Sequence, residues 1–313
     1  MITEQHRYRG ALLGLACGDA IGAAVQSQPR GSFTELDDMV GGGPFGLKPG
    51  EWTAHTSMAL CLAHSLVETG GFDAADQMNR YGSWQDDGYM SSTGRCIDID
   101  ENTAGALRRY RETGDPFSAT AAADAGVAGS GALARLAPLP MYYALDANSL
   151  MRQCADGTRT THGAPEAIEC AALLGLMLRE ALLGRTKEAV LAVALPGVHS
   201  PQVDALTRGA YTSKSSEQIT GAGNAVDALE AALWCFWHTS SFKQAVLHAA
   251  NLGDDADTTA AIVGQLAGAY YGVQEIPEVW LDKLAMQQDM ISLADRLLAE
   301  RVDPDGVLPA ARA

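Results

Sequence analysis

Positive charge is scarce in this chain, no Cys-x-x-Cys occurs, and no apolar run reaches 18 residues without a polar break. Each absence excludes something. Lys and Arg number 22 against 38 Asp and Glu, a formal net charge of −16 that repels phosphates and argues against nucleic acid as a partner. Without a long apolar run there is no candidate membrane span. The first residues, MITEQHRYRGALLGLACGDA, lack a small-residue cleavage site and read as a core helix rather than a signal peptide. Six cysteines (17, 61, 96, 154, 170, 235) lie scattered, mostly in apolar helical context. They read as buried free thiols of a cytoplasmic protein rather than disulfides or zinc ligands. Alternation with period two is rare, and no glycine-, serine- or proline-rich linker divides the chain.

What is present is helical periodicity, with 47% hydrophobic residues to build a core. The spacing predicts helices over 8–24, 56–69, 73–86, 102–113, 145–155, 164–183, 186–193, 202–209, 224–238, 241–250 and 277–300. A short apolar helix after Gly129-Ser130-Gly131 is expected to end near Pro138 and Pro140. Residues 31–51 are a glycine-rich loop, and 210–223 read as a mobile loop over a site. The expectation is an all-α protein, a single-domain orthogonal bundle of many helices over residues 1–302, with a frayed tail at 303–313.

The most informative stretch is 251–272, NLGDDADTTAAIVGQLAGAYYG. Asp254, Asp255 and Asp257 fall within four residues, followed by Thr258, Thr259 and an alanine-rich run. This reads as a helix opening on acidic caps, whose carboxylates accept the free amides of the first turn. Gly264 and Gly268, four apart, would let another helix approach closely. Clustered carboxylates raise one another's pKa and face water or a cation, and hard oxygens at this density suit Mg²⁺, Mn²⁺ or Ca²⁺. A solvated, overcapped helix start is the alternative.

A second polar cluster, Gly50-Glu51-Trp52-Thr53-Ala54-His55-Thr56-Ser57, also sets hydroxyls and a possible ligand at a helix start. Together with Gly18-Asp19-Ala20-Ile21-Gly22, Arg135-Leu136-Ala137-Pro138-Leu139-Pro140, Thr161-His162, Leu229 to Trp234, Ile276-Pro277 and above all Gly253-Asp254-Asp255-Ala256-Asp257-Thr258, it resembles the ADP-ribosylglycohydrolase family. The likeness covers nearly the whole chain. It implies an all-α fold with one or two Mg²⁺ or Mn²⁺ ions orienting ADP-ribose in a cleft. It carries metal roles to Thr53, His55, Asp255, Asp257 and Thr258. It carries catalytic candidacy to Asp98, Asp254 and Gln26, and substrate contact to Gly129, Ser130, Gly131, His162 and Asn224.

The departures from the family pattern are specific. Its Thr-Asp-Asp-Thr motif is Thr53-Ala54-His55-Thr56 here, so two carboxylates are gone and an imidazole, a poor Mg²⁺ ligand, stands in one place. Its Gly-x-x-Val-Glu ends in Gln26, which cannot transfer a proton as a glutamate does. Its Gly-Asn-Gly loop is Gly129-Ser130-Gly131, and Asn224 stands where a tyrosine is usual. Two readings stay open on sequence. One is a metal-dependent hydrolase releasing ADP-ribose from a modified acceptor, protein arginine among them. The other is a catalytically silent relative of the same fold that binds ADP-ribose or a related nucleotide, or serves as an interaction or structural protein; the partner expected is ADP-ribose or an ADP-ribosylated protein.

Overall fold

The computed structural model describes residues 2–117, 128–221 and 223–304. Among them there are helices and 3-10 turns and no strand. No helix is long and apolar enough to cross a membrane. The tail foreseen from 303 lies outside the described residues from 305 onward.

Two helices form the axis of the molecule: α1 (Glu4–Gly22) and α13 (Ala256–Tyr271). Both are buried on every side, α1 from Gly10 to Gly22 and α13 from Ala256 to Ala269. A helix with no polar face belongs inside a core. Their close approach has a cause in α1, where glycine recurs every fourth residue. A Cβ on Gly10 would stand 2.1 Å from the Gly268 carbonyl oxygen, and one on Gly14 2.4 Å from that of Gly264. One on Gly18 would stand 2.0 Å from the Ala260 oxygen, and one on Gly22 2.4 Å from that of Ala256. The pairing runs antiparallel, so the end of α1 meets the beginning of α13. Gly264 and Gly268 do admit a neighbouring helix, as their spacing suggested.

Against this pair pack α2 (Ala54–Thr69), α8 (Pro165–Leu182), α11 (Ala225–His238) and α12 (Phe242–Ala250); α3 (Ala74–Asp87) lies on α2, α4 (Glu101–Thr113) on α3, and α7 (Ala147–Arg159) on α8. Ends are set by ordinary chemistry. Asp73, Asp100, Asp146, Asn224 and Ser241 cap their helices, and left-handed Gly70, Gly88 and Gly114 close α2, α3 and α4. All six cysteines are free thiols, and five are buried.

Three expectations are corrected. Residues 277–300 are two helices, α14 (Glu278–Lys283) and α15 (Gln287–Ala299). Between them Leu284 is extended and Met286 left-handed, and the Ala285 amide donates to the Gly50 carbonyl, so a tertiary bond replaces a helical one. The helix after Gly129 does not run to the prolines. Helix α5 (Gly131–Ala134) stops early, and α6 (Pro138–Tyr142) starts on Pro138, whose missing N–H costs nothing in a first turn. Segment 210–223 is no plain loop. It carries 3-10 turns at Ala210–Ser213 and Ser216–Gln218, buries Tyr211 and Ile219, and is tied down by Trp234 Nε1 donating to the Lys214 carbonyl at 2.9 Å.

Candidate active site

A cleft of about 1060 Å³ opens where α2, α4 and α13 begin. Its lining includes Gln26, His55, Asp98, Asp100, Asp254, Asp255 and Thr258, together with Gly129, Ser130, Gly131 and His162. Fully buried Asp257 lies beneath.

Asp19, fully buried on α1, builds the floor. Its Oδ1 accepts the Thr53 amide at 3.1 Å and the Thr53 hydroxyl at 2.7 Å. Its Oδ2 accepts the Thr56 amide at 2.9 Å and the Thr56 hydroxyl at 2.7 Å. Thr53, the N-cap of α2, makes no cap bond of its own, so Asp19 caps that helix from another element. Burial pushes the Asp19 pKa up, with the charge of Asp257 adding to it, while His55 and the two threonines pull against them. The two amides and two hydroxyls around its oxygens stabilise the carboxylate against that rise.

His55 bridges the two clusters found in the sequence. Its Nε2 lies 2.9 Å from the Thr258 hydroxyl and 3.3 Å from Asp257 Oδ2. Thr258 donates onward to Asp255 Oδ1 at 2.8 Å, so its oxygen accepts from His55. Burial alone would lower the His55 pKa. The hydrogen bond and charge of Asp257, then the charges of Asp19 and Asp98, outweigh burial and raise it to about 10. The surrounding carboxylates thus draw the His55 imidazole toward its protonated form.

Asp98 sits in left-handed backbone, φ 60°, a strained conformation for a non-glycine residue. It accepts Gln26 Nε2 at 2.8 Å. Burial first, then the charge of Asp257, raise its pKa to about 7 against the pull of His55 and Gln26. Asp257 goes the other way. Burial would raise it, but the bond and charge of His55 lower it, so within this coupled pair Asp98 holds the proton. Asp255 is raised to about 6, by burial and then by Asp257.

One expectation at α13 fails. Asp255 is its N-cap but makes no side-chain cap bond. Its carboxylate turns into the cleft instead, accepting the hydroxyls of Ser130 at 3.0 Å and Thr258. Asp254, left-handed at φ 54°, also lines the cleft, held by backbone bonds to Ser27 and Gln28.

Atoms of His55, Asp98 and Asp257 lie within 4.8 Å of one another and could hold a metal ion. Asp257 Oδ1 is buried without a hydrogen-bond partner, which fits an absent cation. Ala54 contributes no ligand atom. An imidazole with two carboxylates suits Mn²⁺ better than Mg²⁺.

Asn224 is set apart from the other candidates. Its side chain caps α11 by accepting the Asp227 amide at 2.9 Å, and its backbone bridges to Gly129. Sequence reasoning left Asp19 without a role and passed over Asp100, Asn102 and Arg109, which also line the cleft. The glycine repeat of α1, which brackets Asp19 between Gly18 and Gly22, was the available signal for the first.

With this geometry in hand, comparison with known proteins is direct. The family model described as ADP-ribosylglycohydrolase matches residues 2–306. The chain belongs to the ADP-ribosylglycohydrolase family. As a member it is a glycosidic-bond hydrolase. It is 43% identical over 299 residues to ADP-ribosylarginine hydrolase Tri1 of Pseudomonas putida (strain GB-1), covering 95% of this chain and 80% of that protein. It is 34% identical to ADP-ribosyl-[dinitrogen reductase] glycohydrolase of Rhodospirillum rubrum, covering 94% and 96%. A solved structure titled ADP-ribosylglycohydrolase-related protein complex superposes with a TM-score of 0.84 at 43% identity, covering 96% of this chain and 99% of that one.

Proposed function

We propose that this ADP-ribosylglycohydrolase removes ADP-ribose from arginine side chains of modified cytoplasmic proteins, with residues 1–302 acting as one domain. The observation that carries the reading is the meeting of His55, Asp98 and Asp257 at a cleft that the Gly129–Gly131 loop also lines. The arginine linkage is favoured by the 43% identity to an ADP-ribosylarginine hydrolase.

A single divalent cation, Mn²⁺ before Mg²⁺, would be held by His55, Asp98 and Asp257, with Thr53, Asp255 and Thr258 completing its surroundings. When bound, it supplies positive charge to polarise the ribose and a water molecule. The depleted first motif then lowers the number of ions rather than abolishing the site.

The chain's own residues account for the proton. Ionised Asp98 accepts a proton from water as the water oxygen bonds to the anomeric carbon and the carbon–nitrogen bond of the guanidino group breaks. The proton then passes to the departing guanidine, which leaves as guanidinium. The same carboxyl takes the proton from water and returns it to the leaving group. Gln26 orients Asp98 by its amide and carries no proton itself. Gly129, Ser130, Gly131 and His162 hold the nucleotide, with Asp254 at the mouth.

The test is release of ADP-ribose from an ADP-ribosylarginine peptide with Mn²⁺ or Mg²⁺. Asp98→Asn should lower kcat by about 10²-fold or more. No release by the unaltered protein with either ion, or an unchanged rate in Asp98→Asn, would refute it.

A further inference from the structure

Arg135 is only 2% exposed, an unusual place for a guanidinium. Its carbon Cζ lies 4.9 Å from the centre of the Tyr81 ring, and one Nη donates to the Gly157 carbonyl at 3.4 Å. The same Nη donates to the Thr161 hydroxyl at 2.6 Å. Thr161, also 2% exposed, lies 2.8 Å from His162 Nδ1 through that hydroxyl.

Elementary hydrogen-bond bookkeeping sets the direction of this chain. A guanidinium only donates, so the Thr161 oxygen accepts from Arg135. The hydroxyl has one proton of its own to place, and His162 Nδ1 is the acceptor in reach. Nδ1 is then unprotonated, and the ring proton of a neutral His162 sits on Nε2. An imidazolium would leave the Thr161 oxygen facing donors on both sides with nowhere to send its proton. Burial pushes the His162 pKa down, and Arg135 and His55 push it further against the pull of Asp100, to about 4.

The Nε2–H faces the cleft wall. A Cβ on Gly129 would come 3.0 Å from Nε2, and one on Gly131 3.5 Å. Asp100 Oδ1 stands 3.8 Å away, beyond hydrogen-bond reach. A donor of a buried ring is thus aimed at the glycine loop without a protein acceptor among the described residues.

We infer that Arg135 and Thr161 are positioning residues that lock His162 in its neutral Nε2–H form, so that it offers a single donor to an acceptor oxygen of the nucleotide at the Gly129–Gly131 loop. The ligand half of this inference rests on the functional reading above; the tautomer half does not.

The deciding measurement is long-range ¹H–¹⁵N NMR of the His162 ring in the full-length protein near neutral pH, without ligand. Nδ1 should be pyridine-like and Nε2 pyrrole-like. Thr161→Val removes the relay, so an Nδ1–H population should appear and the Kd for ADP-ribose should rise about tenfold. Thr161→Ser keeps the hydroxyl and should restore both. A protonated Nδ1 in the unaltered protein overturns the assignment, whatever the variants do. Unchanged ring shifts and affinity in a folded Thr161→Val overturn the positioning role. The expected ring shifts with no ADP-ribose binding by the unaltered protein would overturn the ligand and leave the tautomer standing.

Discussion

The hydroxyl of Thr53 lies 3.3 Å from Asp257 Oδ2, although 204 positions separate them along the chain. The contact exists because Asp19 gathers the start of α2 against the start of α13. Removing that anchor should be costly. Asp19→Asn turns one acceptor into a donor facing the Thr56 amide and hydroxyl, and buried bonds to a charged group are each worth about 1.5–3 kcal/mol. Urea denaturation should show a loss of at least about 3 kcal/mol. A loss within experimental error would mean that Asp19 does not anchor α2.

The metal preference follows from the ligands. Calorimetry should find about one Mn²⁺ per chain, bound more tightly than Mg²⁺, because imidazole is a better ligand for Mn²⁺. Asp257→Ala should abolish binding. Combining Ala54→Asp, His55→Asp and Gln26→Glu should raise Mg²⁺ affinity and the rate of ADP-ribose release. Undiminished binding by Asp257→Ala would contradict this.

Stability of the metal-free protein should depend on pH through His55. Its pKa is raised on folding, so its contribution is full below the ordinary histidine value of about 6.5 and fades as pH climbs through about 10. Asp98 is raised too, so its contribution fades earlier, as pH rises through about 7. Replacing His55 with Asn should flatten the fall between pH 7 and 10 in denaturation midpoints. Cation binding must also displace the His55 proton, so the binding enthalpy of Mn²⁺ should vary with buffer ionisation heat. An unaltered slope in His55→Asn would rule out the imidazolium.

The glycine seam of α1 and α13 should not tolerate a methyl group. Gly264→Ala would set a Cβ 2.2 Å from the Gly14 carbonyl oxygen, backbone that cannot swing aside. The expected loss is about 2 kcal/mol or more. Gly82→Ala, on α3 with its nearest atom 3.9 Å away, should instead be neutral or stabilising by about 0.5–1 kcal/mol. Equal effects of the two would show that the seam does not set the spacing.

Local chemistry was enough to foresee much of this protein. Periodicity located most helices to within a few residues, because capping and burial of an apolar face act within one or two turns. The acidic run before α13 and the Thr53–Thr56 start of α2 were visible as clusters because their ligand-type side chains are adjacent in the chain. Other features depended on contacts from distant segments. The break at Leu284–Met286 arises from the Gly50 carbonyl, and Asp255 turns away from its own helix because Ser130 and Thr258 offer hydroxyls. Asp19 looked like one more polar residue in a small-residue helix until α2 arrived to be capped. Composition and spacing determined which segments would coil and which would carry charge. Only the packed molecule decided which charges meet, because hydrogen bonding and the electrostatics of burial depend on distance in space rather than along the chain.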